Sequence, residues 1–157
     1  MLDPKIPEWH LIHTIVFDFD GVFTDNKVWV DQNGTESVRC DRGDGLAFDI
    51  LRKFVQANNW DVEYFILSTE KNKVVSSRAN KMLIPCIQGV NDKASYLDSF
   101  LVHNNKTAEG LVYVGNDVND LRAIQRAGFS IAPYDAHPLV RDNVHLVLLS
   151  KGGEGFV

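Results

Sequence analysis

Two carboxylates stand two residues apart in Ile15-Val16-Phe17-Asp18-Phe19-Asp20-Gly21, where an apolar, aromatic run gives way to glycine. Side chains alternate faces along a strand, so Asp18 and Asp20 point the same way if the strand continues through them. Like charges that close repel, unless a positive group lies between them or one keeps its proton. A hard divalent cation such as Mg²⁺ suits a site built from oxygen ligands. Further along, Ser68-Thr69, Lys93 and Gly115-Asn116-Asp117 each follow an apolar segment. Taken singly, each has an ordinary explanation. Asp18 and Asp20 fit solvated acids at a strand end, and Lys93 fits a surface lysine in a first helical turn. Ser68 and Thr69 fit turn or cap residues; Asp117 and Asp120 fit acids drawn to a helix N-terminus. Taken together they describe something narrower. A carboxylate at Asp18 can attack an electrophile without first losing a proton. Asp20 can give a proton to a leaving oxygen and later take one from water. The hydroxyls of Ser68 and Thr69 and the ammonium of Lys93 can hold an anion with several oxygens. This is the equipment of phosphoryl transfer, where catalysis is mostly positioning and charge stabilisation.

The apolar pattern must bring these segments to one place. Strand-like runs cover residues 12–19, 62–67, 84–87, 111–114, 129–132 and 144–149. Helical spacing covers 45–57, 72–82, 92–102 and 117–127, with Gly128 closing the last, and Asp135 is placed to cap a short turn around Pro138. Strand and helix alternate, which predicts an α/β, three-layer Rossmann-like fold with a parallel central sheet. Ligands of such sheets bind outside the carboxyl ends of the strands. Asp18, Asp20, Ser68, Thr69, Asn116 and Asp117 all fall there, and Lys93 opens the helix after the third strand. Residues 1–10, with Pro4 and Pro7, read as a lead-in without regular structure. Residues 27–39 read as a β-hairpin around Asn33-Gly34, both tolerant of positive φ. This flap projects from the carboxyl end of the first strand, and Trp29 on it points to a contact with another subunit. The glycine-rich tail at 151–155 reads as flexible, able to close on a ligand or a neighbour.

The chain of 157 residues is long enough for one domain with a core, here taken as 1–157 with the hairpin as a flap. Its formal net charge of −5 disfavours nucleic acid and anionic membrane as partners. No apolar run reaches the roughly 20 residues that span a bilayer. The first residues lack a signal-peptide pattern, so a cytoplasmic location is expected. Cys40 and Cys86 match no metal spacing and read as free thiols.

These motifs resemble, in order and spacing, those of the haloacid-dehalogenase (HAD) superfamily of phosphatases. The likeness rests on Asp18-x-Asp20-Gly21-Val22-x-Thr24-Asp25, Ser68, Lys93 and Gly115-x-Asp117-x-Asn119-Asp120. It implies Asp18 as nucleophile, forming an aspartyl-phosphate, and Asp20 as acid and base with its backbone carbonyl on Mg²⁺. It implies Ser68 and Lys93 on the phosphate, and Asn116 and Asp117 completing the metal site with Asp18 and Asp20. A hairpin in place of a large cap resembles the capless subgroup that acts on phosphorylated octulosonic or nonulosonic acids. That subgroup is similar to homotetramers in which hairpins and tails close neighbouring sites. Glu70, Arg78 and Lys81, with Thr69, resemble the substrate-binding set of the 9-phosphate, sialic-acid-type phosphatases more than that of the Kdo 8-phosphate enzymes. Arg78 and Lys81, three residues apart on a helix, suit a substrate carboxylate; a solvated basic face is the alternative. The reading is therefore a Mg²⁺-dependent phosphatase of a nonulosonic acid 9-phosphate. Two other readings stay open: a Kdo 8-phosphate phosphatase, and a catalytically weak assembly domain that joins or serves an acylneuraminate cytidylyltransferase, a sugar-nucleotide synthetase. The last is favoured by Asn116, which stands where the family usually carries Asp. It is favoured also by an end at Phe156-Val157, where relatives continue with an Arg-Glu pair. A phosphotransferase or mutase is disfavoured, because no large cap excludes water.

Overall fold

The computed structural model describes residues 6–157, so the first half of the expected lead-in lies outside the described residues. Strand β1 (Thr14–Phe17) is central, flanked in parallel by β4 (Glu63–Leu67) and β6 (Leu111–Val114). Outside these lie β5 (Cys86–Ile87) on one side and β7 (Phe129–Ala132) and β8 (Leu146–Val147) on the other. The six strands run β5-β4-β1-β6-β7-β8, all parallel. The chain leaves β1 toward β4 and β5, then returns to the other side of β1 for β6, β7 and β8. That reversal opens a crevice at the carboxyl ends of β1 and β6, where a ligand site is expected.

Helices cover both faces, as the apolar character of β1, β4 and β6 requires. Helices α1 (Gly43–Asn58) and α2 (Lys73–Met82) bury Phe48, Val75, Ala79 and Met82 against Phe17, Ile66 and Val114. On the other face, α3 (Lys93–His103) and α4 (Leu121–Arg126) bury Leu97, Leu101, Ala123 and Ile124 against Val16, Phe65 and Tyr113. The expected three layers are present. Helix α3 starts at an Asp92 cap, whose Oδ1 accepts from Ser95 N–H at 3.0 Å. The region expected as one helix over 117–127 splits into a 3-10 turn at Val118–Asp120 and the short α4. Among the described residues, no helix is long and apolar enough to cross a membrane.

Several local expectations need correction. The strand expected over 12–19 ends at Phe17, because the backbone turns over residues 19–23. Strand alternation therefore does not set the direction of Asp20. The hairpin forms, from β2 (Thr24–Val30) and β3 (Glu36–Cys40), but not through a two-residue turn. Gly34 alone takes positive φ (79°), and its N–H donates to Asp31 O at 3.0 Å. Asp31 Oδ1 accepts from Asn33 and Thr35 N–H at 2.8 and 2.9 Å, which makes a longer, side-chain-supported loop. The last short helix, α5 (Pro138–Arg141), is capped by His137, not Asp135. Asp135 instead accepts from Gly152 N–H at 3.0 Å.

The tail is the largest departure. Gly152 and Gly153 are buried against the backbone of Gly21 and Thr24, where a Cβ at either would collide. Gly153 N–H donates to Val22 O at 3.2 Å, and Phe156 is buried in the α1/α2 side of the core. Glycine here serves close approach to this chain's own loop, not flexibility. Val157 N–H donates to Asp44 Oδ1 at 3.2 Å. Asp44 is fully buried, its Oδ2 has no partner among the described residues, and burial, with nearby Asp41, pushes its pKa up to about 6. The folded state thus favours the protonated acid. Asp44 contributes most to stability below the unfolded pKa near 4, and that contribution is lost as pH rises through 6. Asp44→Asn keeps an acceptor for Val157 and cannot ionise. Its stability relative to wild type is expected to improve by about 1–2 kcal/mol between pH 4.5 and pH 8. Urea unfolding of both proteins at the two pH values measures this, and a pH-independent difference would show that Asp44 is not strained by its charge.

Candidate active site

The β1 exit is fixed before any ligand arrives. Asp18 N–H donates to Val114 O at 2.8 Å, so β1 and β6 stay joined one residue past the strand. Beneath the turn, Phe23 packs on Phe17, Phe19 and Phe48 with ring centroids 5.7–6.1 Å apart. Thr24 Oγ1 accepts from Gly21 and Asn26 N–H at 3.0 and 3.2 Å and closes the loop. Gly21, at φ 81°, lies against the Asn116 amide, and any side chain there would strike it. The first and fourth motifs are thereby packed together.

Lys93 joins them electrostatically. Its Nζ lies 2.6 Å from Asp18 Oδ1 and 2.7 Å from Asp120 Oδ1, and all three side chains are nearly inaccessible to solvent. Burial works against the lysine charge, but Asp18 and Asp120 outweigh it and hold its pKa above the usual value. Two carboxylates share one ammonium, so the cluster carries an excess buried negative charge. Asp18 shows the result: burial, then the Asp120 charge, push its pKa up to about 7 against the pull of Lys93. Asp20 is half-buried; burial and the charge of Glu70 raise its pKa, and Lys93 opposes them. Ser68, 1% exposed, sits at the β4 exit, and its Oγ accepts from Glu70 N–H at 3.0 Å. Thr69 is half-buried beside it.

Asp18, Asp20, Ser68 and Lys93 thus converge at one end of the sheet, while the remaining expected site residues divide. Asn116 is buried, and its Oδ1 has no hydrogen-bond partner among the described residues. Asp117 uses Oδ1 to accept from Val118 N–H at 2.7 Å and caps the 3-10 turn. Glu70 accepts from Lys71 and Asn72 N–H and shapes the approach to α2. Arg78 and Lys81 line a groove of about 460 Å³ between α1 and α2, together with Arg42 and with Arg52, which pairs with Asp49. None of Asp18, Asp20, Ser68 or Lys93 lines that groove. Arg78 Nη2 donates to Asp41 O at 2.6 Å, and neither base bonds to the carboxylate cluster. Asp120 is the residue the sequence reading undervalued as a helix-terminal acid. It is fully buried and organises Lys93, and its place in the Gly115–Asp120 motif was the available signal.

Among the described residues, no group of three or more His, Cys, Asp or Glu side chains could hold a metal. Asn116 supplies an amide oxygen where the family pattern carries a carboxylate. The donors still fit a hard cation: all are oxygens, one is buried without a donor, and the surroundings carry excess negative charge.

No family model matches the chain. Solved structures do. A Streptomyces avermitilis MA-4680 protein named as a HAD family hydrolase is 38% identical, with a TM-score of 0.87 over 97% of this chain and 84% of its own. The 3-deoxy-D-manno-octulosonate 8-phosphate phosphatase KdsC of Yersinia pestis is 29% identical over 147 residues, 93% of this chain and 75% of its own. The corresponding Moraxella catarrhalis phosphatase, solved with magnesium ion, phosphate ion and KDO, is 26% identical with a TM-score of 0.84 over 94% of this chain and 82% of its own. With 38% identity and a TM-score of 0.87 to a HAD family hydrolase over 97% of its length, the chain belongs to the HAD superfamily of hydrolases.

Proposed function

We propose that the protein is a Mg²⁺-dependent phosphatase of a phosphorylated sugar acid. The observation that carries this is a buried carboxylate, Asp18, clamped by Lys93 at 2.6 Å at the carboxyl end of the central strand, with Ser68 and Asp20 beside it. Lys93 and Ser68 hold the phosphoryl oxygens. Asp18 attacks phosphorus as the bond to the sugar oxygen breaks, and Asp20 protonates that oxygen. Asp20 then takes a proton from the water that attacks the aspartyl-phosphate, which releases phosphate and restores Asp18. Asp18, Asp20 and Asn116 would hold Mg²⁺, with Asp117 flanking them. When bound, the cation neutralises the excess charge and polarises the phosphoryl group.

Two substrates compete. The relatives named for 3-deoxy-D-manno-octulosonate 8-phosphate support the eight-carbon acid. The set Glu70, Arg78 and Lys81 supports a nine-carbon 9-phosphate, with the basic groove of Arg42, Arg52, Arg78 and Lys81 for its carboxylate. Asp18, Asp20, Ser68 and Lys93 do not line that groove, and a site completed by another subunit would join the two. The hairpin supports such an assembly, because Val28, Trp29 and Val30 are 58%, 74% and 60% exposed. A homotetramer is the expected form, and light scattering checks it; a monomeric mass would remove the shared-site reading.

The test of function is phosphate release with Mg²⁺ from a nine-carbon sugar-acid 9-phosphate, Kdo 8-phosphate and an aryl phosphate. Turnover confined to the first supports the sialic-acid-type reading, and turnover confined to the second replaces it with the eight-carbon one. No turnover on any, with activity appearing in Asn116→Asp, would favour an assembly role beside a sugar-nucleotide synthetase, the reading that Asn116 keeps open.

A further inference from the structure

Tyr113 is fully buried at the third position of β6, its ring among Val16, Leu97, Leu111 and Ile124. For that packing a phenylalanine would serve as well. The hydroxyl is a polar atom inside an apolar cluster, where it must find a partner. Its partner is Asp120: Tyr113 O–H donates to Oδ1 at 2.7 Å. The same Oδ1 accepts from Lys93 Nζ at 2.7 Å. Asp120 Oδ2 accepts from Asn116 and Asp117 N–H at 3.0 and 3.2 Å. Every lone-pair site of this carboxylate is filled, by a lysine, a phenol and the two amides of the loop that carries Asn116.

That arrangement fixes how far the lysine can lean. Lys93 lies between two acceptors of similar distance, Asp18 and Asp120. With Tyr113 on Oδ1, one of that oxygen's two sites is occupied and the lysine keeps a single approach. Without the phenol, Oδ1 is free on that side and attracts the ammonium more strongly, away from Asp18. We propose that Tyr113 is a positioning residue, whose hydroxyl holds Lys93 centred between Asp18 and Asp120 by sharing the Asp120 carboxylate. The proposal rests on the phosphatase reading for its kinetic consequence but not for its geometry.

Tyr113→Phe tests it. The ring still fills the core, and circular dichroism is expected to show the wild-type fold. A displaced ammonium still meets the phosphate of bound substrate but is misaligned as charge develops. On a hydrolysed phosphomonoester kcat is therefore expected to fall roughly ten-fold, with KM within about two-fold of wild type. A packing role would lower thermal stability and leave kcat alone. A second readout needs no turnover. In protein labelled with ¹⁵N-lysine, the Lys93 NζH₃⁺ resonance is assigned by its loss in Lys93→Met and is expected to shift or broaden in Tyr113→Phe. An unchanged Lys93 resonance would overturn the proposal, as would an unchanged kcat in an active wild-type enzyme. If the wild type hydrolyses no phosphomonoester, the phosphatase reading fails by itself and the lysine resonance still decides the positioning role.

Discussion

Asp18→Asn is expected to abolish Mg²⁺-dependent phosphate release, with a loss of at least about 10⁴-fold in kcat. The amide cannot attack phosphorus, and nothing else in the cluster can replace it: Asp120 is fully engaged with Lys93, Tyr113 and two backbone amides. The folded protein should not suffer. Asp18 is 5% exposed and shares one ammonium with Asp120, so its charge is partly uncompensated. Removing it leaves a matched Lys93–Asp120 pair, and the variant is expected to unfold at or above the wild-type temperature at pH 8. Loss of activity with gain of stability is the signature of a group held in place for chemistry. Turnover near the wild-type rate in a well-folded variant would remove Asp18 from the mechanism.

Lys93→Met is expected to do the opposite to stability. The methionine fills similar space but leaves Asp18 and Asp120 buried with no cation. Breaking a buried pair by removing one partner costs about 3–5 kcal/mol, and loss of a charged group on the phosphoryl oxygens costs about 10²–10³ in kcat. The stability loss should be larger at pH 8 than at pH 5, because a buried carboxylate can take a proton at the lower value. A second change, Asp120→Asn, should recover much of the stability and none of the activity. Denaturant unfolding of the single and double variants, with kinetics alongside, measures both. A single variant as stable as wild type at pH 8 would show that solvent or ions reach the cluster.

Most of the fold was legible because its signals are local. The apolar runs at Val16-Phe17, Phe65-Leu67 and Leu111-Val114 are too uniformly buried for a half-solvated sheet, and alternation with helices left the parallel arrangement. The approach of Asp18, Asp20 and Ser68 followed from the strand-end rule, and that of Lys93 from its place at the start of the helix after the third strand. What failed was conformation decided by distant contacts. The glycines at 152 and 153 look like a flexible tail, but Gly21 and Thr24 approach them too closely for any side chain. Asp135 looks like a cap, but Gly152 takes its oxygen. Asp120 looks like a helix-terminal acid, and only the three-dimensional path of Lys93 and Tyr113 shows it to be a hub. Arg78 and Lys81 line one groove as expected, yet neither base bonds to the carboxylates, because Arg78 is taken by the Asp41 carbonyl.

The two strands that border the sheet, β5 and β8, are only two residues long each, against four or five for the strands between them. An unpaired sheet border is a template on which a second chain can add, and two residues offer almost no ladder to extend. The molecule therefore resists lateral polymerisation through its core even while the hairpin exposes Val28, Trp29 and Val30. On the hairpin three successive exposed apolar residues sit on an arm whose strands pair apart from the main sheet. At high concentration such a chain should gather into closed, countable assemblies before it forms fibres.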